Sequence, residues 1–432
     1  MSARTLLAVL VLVAVSLGEA TETAFQGQAN EEQIAQAFEL LGQMLGIPEL
    51  TPEELKRKVE EVGGLRFVRD VPIDFMSREE LAGYIRDLFD AEYPIELAER
   101  EERMLRGIGF LSEGQDLRTI RERVLNENIA GFYDERPQAK KLFAISAGRK
   151  LNLMNQLVLS HELRHALQDQ HLNLGRILGE VSDFDDRRLA ALALIEGDAT
   201  LLMEKFLASG EQGGGMGMGE LFGGLSGGLD ARALAQMFAG PELRGAPPVV
   251  QEQLIVPYLH GRALAAEIFS RGGFALLNER LRNPPRSTEQ VLHPEKYLDR
   301  VDEPMEVTLP AGVGSPTESE GRLGEVLIRS LFEGVLPQEQ SFEAAAGWGG
   351  DRYAIWLDAN DEYHLFWRTL WDTDRDADEF YEALAGFASS RFGNPSSAAA
   401  ESGALSLKGA DGSQTTVIRR GREVLFERDG FR

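Results

Sequence analysis

The chain contains no cysteine. That excludes a disulfide framework, a thiolate-ligated metal centre and a lipid-anchored cysteine, and leaves stability to packing and to any bound ion. Positive charge is short as well: 45 Lys and Arg stand against 70 Asp and Glu, for a net charge of −25. No nucleic-acid partner is expected, because neutralising phosphates needs clustered cations. Long apolar runs are missing too. The run over residues 6–17 follows a short basic start and ends at Gly18-Glu19-Ala20; it is too short for an ordinary membrane span and has the layout of a secretory signal peptide over residues 1–20. A secreted or periplasmic chain is therefore expected, associated with a membrane only if that segment stays uncleaved as an anchor.

Histidine is scarce, with six in 432 residues, yet three of them fall in one informative stretch. Ser160-His161-Glu162-Leu163-Arg164-His165 runs on to His171 without Gly or Pro, and Leu153, Met154, Leu157, Val158 and Leu159 before it read as a buried helix. On a helix His161 and His165 lie about 40° apart on one face, one turn apart, so both imidazoles can reach a single ion. Zinc takes histidine nitrogen at roughly 2.0–2.1 Å, and a catalytic zinc uses three protein ligands and keeps the fourth corner of its tetrahedron open. Glu162 then stands beside that corner as a general base. The plainer alternative is a metal-free structural helix.

A third ligand is expected from Glu196, a carboxylate in the middle of the apolar helix over residues 188–203, where an unpaired charge is costly. The competing explanation is an ion pair with Arg164 or Arg187. His171 has the spacing of a third histidine in the metzincin pattern, but Gln168 stands where that pattern has the glycine that turns the chain back. On a continuing helix His171 points about 120° away, which suits a capping or surface role. Donors able to steady negative charge on a substrate carbonyl are Tyr258, His260 and His293. His293 is the first choice, and each also suits ordinary packing or hydrogen bonding.

The remaining organisation is α+β. Thr51-Pro52-Glu53-Glu54 and Ser77-Arg78-Glu79-Glu80 are capping boxes. A helix is expected over residues 31–45, a strand over 65–71, helices over 81–90 and 93–106, and a loop over 107–117. Residues 129–134 and 141–146 read as a hairpin, which either covers the histidine helix or offers a free edge that an extended peptide joins as a further strand. Residues 210–228 are glycine-rich, residues 251–269 form a helix, and Ser287 or Thr288 caps another that ends at His293-Pro294. From residue 324 paired strands at 351–357 and 363–371, a helix from Thr373 and a stranded tail complete a C-terminal α+β module. The expected domains are a signal peptide at 1–20, a mainly helical scaffold at 21–125, a catalytic region at 126–323 with its insertion at 210–228, and the C-terminal module at 324–432.

The pair His161-Glu162-Leu163-Arg164-His165 and Glu196-Gly197-Asp198-Ala199 resembles the gluzincin zinc peptidases, in which a second helix donates a glutamate. The whole chain also resembles a group of secreted bacterial and archaeal proteins carrying the same His-Glu-x-x-His element, through Gly131-Phe132-Tyr133-Asp134, residues 161–171, Ser287-Thr288-Glu289-Gln290 to His293-Pro294, and residues 346–353. The resemblance implies a zincin-like core of an edge strand and two zinc-bearing helices, with His161, His165 and Glu196 as ligands and Glu162 as base. The activity it implies is cleavage of a peptide or protein substrate by an exported zinc peptidase. The alternative is a catalytically silent zinc-binding protein of the cell surface or periplasm. One departure stands out: where thermolysin-like enzymes carry an aspartate four residues after the ligand glutamate, this chain has Thr200, and Asp198 faces elsewhere.

Overall fold

Thr51 accepts the Glu54 N–H at 3.3 Å while the Glu54 carboxylate takes the Thr51 N–H at 2.8 Å. This reciprocal cap starts helix α1, Pro52–Gly63. The computed structural model describes residues 42, 47–136, 139–145, 151–179, 182, 184–209, 240–313, 317–395 and 404–431. The signal peptide at 1–20, the helix at 31–45 apart from Gly42, and the glycine-rich segment at 210–228 lie outside the described residues.

The strand expected at 65–71 does not form there. Its backbone is engaged by side chains instead: the Phe67 N–H donates to Glu60 at 2.7 Å, and the Val68 and Arg69 N–H groups donate to Gln170 at 2.7 and 3.0 Å. Strand β1 comes later, at Ile73–Met76. A second capping box, on Ser77 and Glu80, opens α2 at Arg78–Glu92. Helices α3 (Ile95–Ile108) and α4 (Leu117–Asn128) follow, the latter capped by Asp116 and unforeseen from periodicity.

Strands β2 (Gly131–Asp134) and β3 (Lys141–Ile145) form the expected antiparallel hairpin. Because β1 adds in parallel to β3, the order is β1-β3-β2 and β2 is one of the two edge strands. Its residues are all buried, however, against the next helix. That helix, α5, spans Leu153–Leu172 and every residue from Asn155 to Gln168 is buried, as a helix in the middle of a molecule must be. It stops at Asn173, which takes the left-handed conformation (φ 56°) that asparagine tolerates.

Asp185 caps α6, Asp186–Ala208, and α7 spans Pro248–Arg280 with its helical course broken at Gly272 and Gly273. Ser287 caps α8, Thr288–Leu292, which ends at His293 as expected. The α5, α6 and α7 helices share one core with α1 and the hairpin, through Leu157, Leu163, Leu194, Leu202 and Tyr258 among others.

The C-terminal part is a seven-stranded sheet built from β4 (Thr317–Gly321), β5 (Trp348–Leu357), β6 (Tyr363–Trp371), β7 (Asn394–Pro395), β8 (Ala404–Lys408), β9 (Gln414–Arg420) and β10 (Glu423–Phe431). The strand order is β4-β5-β6-β10-β9-β8-β7. Through β4 the sheet takes in residues ahead of 324. Helices α9 (Gly324–Phe332) and α10 (Asp374–Phe392) cover it, and Met104, Leu105 and Ile108 of α3 and Val249 and Val256 of α7 enter the same core as Trp367, Phe380 and Phe426. The architecture is α+β, and no helix of the described residues is long and apolar enough to cross a membrane.

Candidate metal centre

Helices α5 and α6 lie side by side and deliver three donor atoms to one point. The Nε2 atoms of His161 and His165 are 3.0 Å apart, and each is 3.2 Å from Oε2 of Glu196. All three side chains are at most 1% exposed. An ion with tetrahedral bonds of about 2.0–2.1 Å sets its ligand atoms roughly 3.3 Å apart, so the triangle fits such an ion in size.

The hydrogen-bond network leaves two polar atoms of the cluster over. His161 Nδ1 and Glu196 Oε1 are buried without a hydrogen-bond partner among the described residues. Burial would raise the Glu196 carboxyl, yet the His165 charge and the bonds from both histidines hold it at about 2. Burial likewise opposes a His165 cation, and the facing Glu196 carboxylate overcomes it and lifts the imidazole to about 9. His161 goes the other way, lowered by burial and by the neighbouring His165. A proton on His165, or a cation between the three atoms, would balance the Glu196 carboxylate.

The rivals for these residues are otherwise engaged. Arg164 does not pair with Glu196; its Nε and Nη2 clasp Asp198 at 2.6 and 3.0 Å in a fully buried ion pair. His171 is exposed at the end of α5, with Nε2 2.8 Å from the Arg66 carbonyl oxygen, and takes the surface role. A second acidic group, Glu289, Asp302 and Asp372, is filled by the Lys296 ammonium at 2.6, 3.0 and 3.3 Å.

Glu162 lies one residue after the first histidine, 1% exposed, and its Oε2 accepts the Tyr133 N–H of β2 at 2.8 Å. Burial pushes its carboxyl up to about 8, Glu196 adding to the shift and His165 and Tyr133 opposing it. Gly131 permits this contact: an added Cβ would stand 2.5 Å from Val158 Cγ1, so any side chain would lift β2 off the helix.

Of the three donors expected from the sequence, Tyr258 is the one beside the cluster. Its ring stacks on His161 with centroids 6.1 Å apart, and its buried hydroxyl lies beside the Glu196 carboxylate. Burial first, then the Glu196 and Glu162 carboxylates, push its pKa well up. His293, the first choice, is engaged elsewhere: Nε2 lies 3.1 Å from Glu325, and the charges that raise its pKa, after that bond, are Glu325, Glu289 and Glu295. His260 sits two residues beyond Tyr258, about 200° around the same helix.

Two features escaped the sequence reading. Gln168 faces His165, with Oε1 2.8 Å from Nδ1; the signal was there in its three-residue step along one helix face. Gly197 and Gly261 are isolated glycines in helical runs, a pattern that marks close approach.

A family model described as a domain of unknown function (DUF8575) matches residues 313–428. The match covers the C-terminal sheet with α9 and α10 and leaves out His161, His165 and Glu196. No curated protein matches the chain, and no solved structure does.

Proposed function

We propose that the chain is an exported zinc peptidase with a zincin-like, gluzincin-type core. The observation that carries the reading is the meeting of His161, His165 and Glu196 within 3.2 Å of one another, with the Glu162 carboxylate on the adjoining residue of the same helix. Zinc held by these three would polarise a substrate carbonyl and acidify a water molecule. Glu162, the residue next to the first ligand, would take the proton as a carboxylate, which the charge of the zinc would favour, and return it to the leaving amine. Tyr258 is preferred to His293 as the donor to the carbonyl oxygen as negative charge develops on it, since its buried hydroxyl lies beside the cluster while His293 is held by Glu325. β2 is one of the two edge strands of the hairpin sheet, and an extended peptide would join it there as a further strand. Export rests on the signal-like residues 1–20.

One observation favours the second reading, a catalytically silent zinc protein of the surface or periplasm: the three ligands and Glu162 are all 0–1% exposed. The two readings separate in one experiment on the purified mature chain, with zinc content measured beside cleavage of a mixed peptide pool, with and without chelator. The peptidase reading expects about one zinc per chain in wild type and in Glu162→Gln alike, with cleavage in wild type only. Zinc without cleavage in the wild type selects the silent protein, and unchanged turnover in Glu162→Gln removes the base.

A further inference from the structure

Gln168 is fully buried and its amide is used at both ends. Oε1 faces His165 Nδ1 at 2.8 Å, while Nε2 donates to the Ile195 carbonyl at 3.0 Å and to Asp198 Oδ2 at 2.8 Å. Those last two partners only accept, so the amide cannot turn over. Oε1 must then accept from His165, Nδ1 carries the hydrogen, and Nε2 is the nitrogen presented to His161 and Glu196. Ile195 is the residue before Glu196, so one side chain also fixes the separation of α5 and α6 at the donor triangle. Asp198 is immobilised in turn by Arg164, whose Nη2 also bonds Asn278 at 2.6 Å.

We propose that Gln168 is a positioning residue for His165: it sets the tautomer and ring angle of that imidazole and ties it to the helix that carries Glu196. The inference rests on the zinc reading above. It assigns the support of a ligand histidine to an uncharged amide on the histidine's own helix, relayed to Asp198 and Arg164. A second buried amide on α5 provides the comparison, since among the described residues Gln156 bonds the Pro48 and Leu151 carbonyls.

The test uses the full-length mature chain, with zinc affinity from chelator competition and the visible absorption of the cobalt-substituted protein as readouts. Gln168→Met is expected to weaken zinc binding about 10–100-fold and to shift the cobalt bands. Gln168→Glu keeps an acceptor for the Nδ1 hydrogen but sets a carboxylate against Asp198 and the Ile195 carbonyl, so it is expected to break the tie to the helix of Glu196 and to move the cobalt bands. Gln156→Met is expected to lose thermal stability and keep both the affinity and the spectrum. Wild-type affinity and spectrum in Gln168→Met, or an equal loss in Gln156→Met, overturns the inference alone. A wild-type chain that takes up no zinc overturns the ligand set and the inference together. If Gln168→Met does not fold, Gln168→Glu decides: moved cobalt bands support the role and unmoved bands overturn it.

Discussion

Gly197 and Gly261 meet backbone to backbone. A Cβ on Gly197 would lie 2.1 Å from the Gly261 carbonyl, and one on Gly261 would lie 1.9 Å from the Ala193 carbonyl oxygen. The crossing of α6 and α7 is thus fixed one residue from Glu196 and about one turn from Tyr258. The stacking of Tyr258 on His161 depends on that crossing.

Gly197→Ala is accordingly expected to cost about 1–3 kcal/mol, because an extra methyl must push two backbones apart. Denaturant unfolding of the zinc-free chain measures the loss. Zinc affinity should fall with it, since Glu196 moves with the helix. A variant as stable as wild type would show that the helices part freely at this point.

Zinc uptake is expected to release about one proton per ion below pH 9, because His165 carries a proton there in the metal-free chain. The sign follows from competition: affinity rises about tenfold per pH unit while the proton must be displaced, and levels off above about 9. The same proton stabilises the metal-free fold. His165 is raised above its unfolded value, so this contribution is complete below about 6.5 and is lost as pH rises through about 9. Calorimetry in buffers of different ionisation enthalpy counts the protons, and an uptake independent of pH between 6 and 9 would contradict the scheme.

Arg164→Met is expected to destabilise the fold by about 3–5 kcal/mol, since it strands Asp198 as a buried charge. Replacing both partners, as in Arg164→Met with Asp198→Leu, should restore most of that stability. It should not restore zinc affinity, because the Gln168 amide loses Asp198 as an acceptor. Thermal unfolding and chelator competition on the two chains separate the effects.

What could be read from the sequence was whatever depends on neighbours along the chain. Thr51, Ser77 and Ser287 cap the helices that they announce, and His161 and His165 fall on one face because their spacing is a turn. Interactions set by distant residues were hidden. The alternation over 65–71 resembles a strand, but Gln170, about a hundred residues on, takes its N–H groups. Gln168 meets Ile195 and Asp198 only once they arrive from another helix, and Glu325, which lies 3.1 Å from His293, is equally out of sight along the chain. The parallel pairing of β1 with β3 joins segments some seventy residues apart, beyond what a local pattern records.

The sheet matched at 313–428 does not own its interior. Gly107 abuts Leu365 and Phe431, Gly109 abuts Phe387 and Phe392, and Arg428 reaches back to the Arg106 carbonyl at 3.1 Å. Cut loose, the segment would face water with the aromatic surface that α3 now roofs. Any other chain bearing it has to furnish a comparable roof, by a helix of its own or by a neighbouring molecule.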